Sequence, residues 1–251
     1  MMKKILGKTR KILLGMVLAV SLVTGTVFAN TIQKQITATS DPDKSYQLVE
    51  ETYTDKNEKI NVKIKYPQIV NLGDAVKQKN INQIIKDDAI ALYEETLNEL
   101  EDSSSYEADV SYEIKLKNDN ILSIAYSSYN NIVPSAHPYF LFHTTNIDLT
   151  NGKKMTLADI VPKMNEDFVK ALRNAKYVGM FSSDPQAVKY AISYSFGEIS
   201  DSELLKLLSN KAANMEIYGY LTKDGVGISV PVGHPLGDHA EFEISNSELP
   251  K

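Results

Sequence analysis

Tyr106-Glu107-Ala108-Asp109-Val110-Ser111-Tyr112-Glu113-Ile114-Lys115-Leu116 alternates apolar and polar residues over eleven positions. Successive side chains of an extended chain point to opposite faces, so this stretch reads as a strand with one face buried. Asn118-Asp119-Asn120 makes a turn, and Ile121 to Val133 returns as a strand with Leu122, Ile124 and Tyr126 on one face. Pro134 to Pro138 interrupts it. Tyr139 to Leu149 is a third run, closed by the hairpin-type turn Thr150-Asn151-Gly152-Lys153. Runs joined by so few residues pair as an antiparallel meander.

Towards the N-terminus, Ile60, Val62, Ile64 and Tyr66 alternate with Asn61, Lys63 and Lys65 until Pro67. After Asn71-Leu72-Gly73-Asp74, residues Ala75 to Glu101 contain neither Gly nor Pro. Val76, Ile81, Ile84, Ile85, Leu92 and Leu100 recur there at mostly helical spacing, which predicts one long amphipathic helix capped by Asp74. Towards the C-terminus, Thr156 to about Ala213 reads as helical. Thr156-Leu157-Ala158-Asp159 and Ser200-Asp201-Ser202-Glu203 have the capping-box pattern, and Asp184-Pro185 places Pro at a first helical position. Ile217 to Leu221 and Val226 to Val232 flank the turn Thr222-Lys223-Asp224-Gly225, and Phe242 with Ile244 marks a last short strand. The expected fold class is α+β: antiparallel β-sheet, as one sheet or two, with one long N-terminal helix and a mid-chain helical segment packed on it. Residues 45–135 and 136–251 are read as N- and C-terminal subdomains, and the polar stretch 30–44 as a flexible lead-in.

Composition bounds the function. Lys3, Lys4, Lys8, Arg10 and Lys11 precede an apolar stretch from Ile12 to Phe28, and Val27-Phe28-Ala29 offers a signal-peptidase site. Residues 1–29 are therefore read as an export signal, and the protein as secreted or held at the cell surface. A membrane attachment is expected only through an uncleaved signal. Cleavage removes five of the 27 Lys and Arg and none of the 32 Asp and Glu, taking the formal charge from −5 to −10. That balance excludes a nucleic-acid binder, which needs clustered basic residues to neutralise phosphates. It suits a basic partner instead. The chain has no Cys, which excludes disulfides, a lipoprotein anchor, thiolate metal sites and Cys nucleophiles.

The four histidines fall in two stretches, His137 with His143 and His234 with His239. With Asp238 and Ser135 they define the alternative reading, a metal-assisted or serine-type hydrolase. No His-Glu-x-x-His or Gly-x-Ser-x-Gly motif accompanies them, and neither a metal nor a cofactor is expected. The adjacent carboxylates Asp87-Asp88 and Glu94-Glu95 lie about 100° apart on a helix, so they read as a solvated face. Of the fourteen tyrosines, Tyr106, Tyr112, Tyr126, Tyr129 and Tyr139 fall in the meander. A ring with a polar tip suits an interface or stacking on sugar, and it also fills a half-buried sheet. The candidate binding residues are Tyr126, Tyr129, His137, Tyr139, His234 and His239.

Ile64-Lys65-Tyr66-Pro67-Gln68-Ile69, Asn71-Leu72-Gly73-Asp74 and Lys79-Asn80-Ile81-Asn82-Gln83-Ile84-Ile85 resemble the opening of the extracytoplasmic module shared by the RsiV anti-sigma factors and the PdaC deacetylases. Ser135-Ala136-His137-Pro138, Asn146-Ile147-Asp148-Leu149, Met155-Thr156-Leu157-Ala158-Asp159-Ile160 and Tyr220-Leu221-Thr222-Lys223-Asp224-Gly225 continue the resemblance, which spans about Ile60 to Leu249. It implies a non-catalytic binding module at the cell envelope, because in PdaC the chemistry resides in a separate domain and in RsiV the module senses lysozyme. A lysozyme-like protein or a wall glycan is the ligand this implies. Eleven residues precede the apolar stretch, too few for a cytoplasmic sigma-binding segment, so no direct sigma-factor contact is expected. The loop Gly233-His234-Pro235-Leu236-Gly237-Asp238-His239 departs from the aromatic, proline- and alanine-rich loop of the relatives. Mass spectrometry of the protein recovered outside the cell is expected to give Asn30 as its first residue; retention of Ile12 to Phe28 in a membrane fraction would contradict export by cleavage.

Overall fold

The Tyr106 alternation lies within a thirteen-residue strand, Ser105–Lys117, at the middle of a six-stranded sheet. The structure, a computed structural model, describes residues 46–161, 163–209 and 217–250. The chain divides into Met1–Gln33 and Lys34–Lys251, and all described residues lie in the second part. The expected export signal and lead-in fall outside the described residues.

The first sheet runs β1 (Gln47–Lys56), β2 (Ile60–Val70), β3 (Ser105–Lys117), β4 (Ile121–Val133), β5 (Tyr139–Asp148) and β6 (Lys153–Met155), in that spatial order. The expected meander is β3-β4-β5, antiparallel throughout. One pair departs from the antiparallel expectation: β2 and β3 run parallel, from Ile60 beside Tyr106 to Ile64 beside Val110. The cause is the helix between them, α1 (Ala75–Glu99). Its 25 residues span about 37 Å, close to the roughly 36 Å of β2. The helix therefore returns the chain to the end from which β2 started. Asp74 Oδ1 caps it as expected, accepting from the amides of Val76 (3.0 Å) and Lys77 (2.9 Å). β1 escaped the sequence reading because it is an edge strand with mostly exposed residues, so packing imposes no strict alternation on it. The sheet also runs on past residue 135, through β5 and β6.

The second sheet holds β7 (Lys176–Tyr177), β8 (Tyr218–Leu221), β9 (Gly225–Pro231) and β10 (His239–Ser245) in the order β7-β10-β9-β8. Between β6 and β8 in sequence lie α2 (Leu157–Ile160) and α3 (Glu166–Arg173), then, after β7, α4 (Pro185–Phe196) and α5 (Asp201–Ser209). Each expected cap is present. Thr156 and Asp159 form the capping box, Asp184 precedes Pro185, and Glu203 accepts from the Ser200 amide and hydroxyl.

Two cores result. Ile81, Ile85, Ala89 and Tyr93, spaced by four along α1, bury against Val62, Ile64, Ala108, Val110, Leu122 and Ile124. Phe168, Leu172, Phe196, Leu204 and Leu208 bury against Val226, Ile228, Phe242 and Ile244. Arg173 knits the second set together: its Nε lies 2.6 Å from Asp201 Oδ1, and its guanidinium donates to the carbonyls of Phe196 and Ile199.

The sheets meet where the outer edge of β8 abuts the face of β4 and β5 opposite α1. The Gly219 carbonyl accepts from Thr144 Oγ1 (2.7 Å) and Asn146 Nδ2 (2.8 Å). The Leu221 amide donates to Ser123 Oγ (3.0 Å), which itself donates to Asn146 Oδ1 (2.6 Å). Ser123, Thr144, Thr145 and Asn146 are all buried. A Cβ on Gly219 would lie 2.6 Å from Leu157 Cδ1 and 2.7 Å from Ile160 Cδ1, so a larger residue there would have to displace these side chains for β8 to seat against α2. Asn146→Ala removes two bonds from this buried network and is expected to lower unfolding stability by about 1 to 3 kcal/mol. Urea denaturation checks this; a midpoint equal to that of the unaltered protein would show that the network is not needed.

Candidate binding surface

Strand parity sorts the candidate residues onto two faces of the first sheet. Tyr126 pairs with His143, and Tyr129 with Phe140. Residues three apart on a strand point opposite ways, so Tyr126 and Tyr129 cannot share a site. Tyr126 is fully buried under α1 and stacks on His143, ring centroids 4.4 Å apart. Of the six candidates, Tyr126 is thus a core residue rather than a surface contact. Tyr139 lies on the same face as His143, at the rim, lining a pocket of about 480 Å³.

The other face carries the remaining candidates. Tyr129 meets Phe140 edge-on at 5.9 Å. His137 and His234, far apart in sequence, stack at 4.1 Å and 16°. Both Asp238 carboxylate oxygens lie 3.1 Å from His234 Nδ1, and Asp238 Oδ2 also accepts from the Phe140 amide at 2.8 Å. Asp238 therefore fastens the 234–238 loop to the start of β5. Asp238 has φ +68°, and the preceding Gly237 has φ +91°, a conformation that glycine adopts without strain. His239 Nδ1 pairs with Glu241, and its ring lies 5.1 Å from Phe142.

Between these elements the two sheets diverge into a groove of about 600 Å³. Tyr129, Phe140, Phe142 and Tyr220 supply aromatic walls, and Asp109, Glu113 and Glu241 supply carboxylates. The Tyr220 ring lies over Gly227, where a Cβ would come within 2.0 Å of it, and the Tyr220 hydroxyl donates to Glu243 at 3.1 Å. Burial, helped by Glu243, pushes the Tyr220 phenol far up, so it stays a donor. Lys115 pairs with Glu113 at 2.6 Å. The sequence reading missed Phe140, Phe142 and Glu241. The alternation Phe140, Phe142, Thr144 against Tyr139, Leu141, His143 carried the signal, but both sets are rich in rings, so the period was masked.

The four histidines do not converge. His137 and His234 meet at the loops, His143 is in the interior, and His239 is committed to Glu241. Among the described residues no group of three or more His, Asp or Glu is arranged to hold a metal ion. Ser135 Oγ bonds the His137 carbonyl at 3.3 Å rather than an imidazole nitrogen, so no nucleophile–base pair forms there.

Residues 53–139 match the family model described as deacetylase PdaC. This segment, from within β1 to the first residue of β5, is PdaC-like, as the motifs from Ile64 to Pro138 imply. A solved structure of a DUF3298 family member from Bacteroides fragilis NCTC 9343 is similar at 15% identity, covering 81% of this chain and 91% of that one with a TM-score of 0.49. A DUF3298 family protein from Pseudomonas aeruginosa PAO1 is similar at 16% identity, covering 81% and 90%, with a TM-score of 0.45. No curated protein matches the chain.

Burial, with Lys154 nearby, depresses the His143 imidazole from its usual 6.5 to about 3. Between those values the unfolded chain takes up a proton that the folded protein refuses. The stability this residue permits is full above its unfolded value and is lost as pH falls towards its folded one. Denaturation at about pH 4.5 is expected to show a loss relative to about pH 7 on the order of 2 kcal/mol from this group. His143→Phe, which keeps a ring against Tyr126, should lose correspondingly less; an equal loss in the variant would assign the pH dependence elsewhere.

Proposed function

We propose that this chain is an exported, non-catalytic binding module of the PdaC-like class that engages a basic, lysozyme-like protein at the cell envelope. The observation that carries the reading is the groove between the two sheets, where the carboxylates of Asp109, Glu113 and Glu241 sit among the rings of Tyr129, Phe140 and Phe142. Aromatic anchors ringed by acids suit Lys- and Arg-bearing surfaces, because a cation gains from both the carboxylates and the ring faces. The formal charge of −5, or −10 without residues 1–29, favours encounter with such a partner. Among the described residues no helix is long and apolar enough to cross a membrane. Tyr129 and His239 line this groove, and Asp238 ties the loop of His234, which stacks on His137, to the amide of the groove residue Phe140.

Calorimetry or biolayer interferometry with a c-type lysozyme tests the reading at low and at high salt. Binding is expected at about 50 mM salt and a fall of about tenfold or more by about 500 mM, as screening removes the charge attraction. Affinity unchanged by salt would refute the electrostatic basis. No binding at either salt would remove the lysozyme-like partner and leave a wall glycan on the groove's rings as the ligand to examine.

A further inference from the structure

The C-terminal end of α1 breaks an electrostatic rule. A helix ends in unpaired carbonyls that carry partial negative charge, so cations are favoured in its last turn. α1 has no basic residue in its last turn, and Glu94, Glu95, Glu99, Glu101 and Asp102 crowd the same end. Glu95 and Glu99 stand four residues apart, on one helix face, where like charges repel. Among the described residues no ion pair engages Glu95, Glu99 or Glu101. Lys59 reaches this end but donates to the Asp102 carbonyl.

These three glutamates line the pocket of about 480 Å³ that Tyr139 also lines. Leu92, Leu100, Ile132, Pro134 and Leu141 give it an apolar wall beside Thr96. Ser104 completes it. That residue is only 7% exposed, yet among the described residues its hydroxyl has no hydrogen-bond partner. The residue is mostly buried, and its hydroxyl, left open towards the cavity, can take a donor or acceptor from outside.

We propose that this pocket receives a lysine or arginine side chain of the basic partner, which rests on the binding reading above and places a second contact at the far face of the first sheet. The methylene stem would lie along Leu92, Leu100, Ile132 and Leu141, as long cationic side chains cover apolar surface. The charged head would meet Glu95 and Glu99 and donate to Ser104 Oγ, relieving both the carboxylate repulsion and the unmatched helix end. The apolar wall disfavours a hydrated metal ion, and the carboxylates exclude an anion. An organic cation fits both features.

The test uses ¹⁵N-labelled protein and two probes of the same size, both Nα-acetylated: arginine amide and its uncharged counterpart citrulline amide. Arginine amide is expected to give saturable amide shifts confined to residues about 92–104 and 132–141, and citrulline amide none. Glu95→Gln with Glu99→Gln should weaken binding about tenfold or more, whereas Asp119→Asn with Asp224→Asn, which removes the same charge from two turns, should change it less than about twofold. Absence of a saturable shift, or equal weakening by both pairs, overturns the pocket. Fold integrity is read from the unshifted remainder of the spectrum. The two proposals fail separately. Lysozyme binding that survives Glu95→Gln with Glu99→Gln refutes this pocket and not the partner; arginine amide binding without lysozyme binding supports the pocket and refutes the partner.

Discussion

The architecture turns on how the exposed edge of β8 is satisfied. Sheet edges carry unpaired amides and carbonyls, and burying them without partners is costly. Among the described residues no further strand pairs with that edge. Side chains from the face of the first sheet cap it instead, with Thr144 and Asn146 on the Gly219 carbonyl and Ser123 on the Leu221 amide. The bond from Ser123 to Asn146 holds both capping groups in place. Because the join is made at one edge, the sheets diverge beyond it, and the divergence opens the groove that carries Tyr129, Phe140 and Phe142. The same polar residues would be misplaced in an ordinary core, which explains why β5 carries Thr144 and Asn146 at buried positions.

α1 constrains the opposite face. As the crossover between parallel β2 and β3, it must lie along the sheet, and its four-residue ridge from Ile81 to Tyr93 fills that face. Tyr126 and His143 are drawn into this interior, where stacking and burial keep the imidazole neutral. Chemistry is thereby separated from packing. On the helix side the rings facing the sheet serve stability, and towards the end of α1 Glu95 and Glu99 line a pocket. The groove side keeps Tyr129, Phe140 and Asp109 at its lining, while Glu113 pairs with Lys115 and Glu241 with His239.

Local signals transmitted well where a residue acts on its own neighbours. Asp74, Thr156, Asp184 and Ser200 start helices because a side-chain oxygen can reach an amide two or three residues on, and that geometry does not depend on the rest of the fold. The meander was legible for the same reason, since its turns are short and its alternation is strict. β1 was not, because an edge strand is released from the burial that produces alternation. The parallel pairing of β2 and β3 was not, because it depends on the length and path of α1 rather than on any strand's pattern.

For the candidate surface the division is similar. The sequence by itself determined the α+β class, the helix starts, the long amphipathic helix, the acidic balance and the ring-rich meander, because composition and period are properties of consecutive residues. It also drew attention to His137, His234 and Asp238, which are unusual where they stand. Only the tertiary structure decided that His137 stacks on His234, that Tyr126 and Tyr129 face opposite ways, and that Glu95, Glu99 and Ser104 share a pocket. Those relations depend on strand register and on which sheet edge meets which face, and both are fixed by long-range packing that no window of sequence contains.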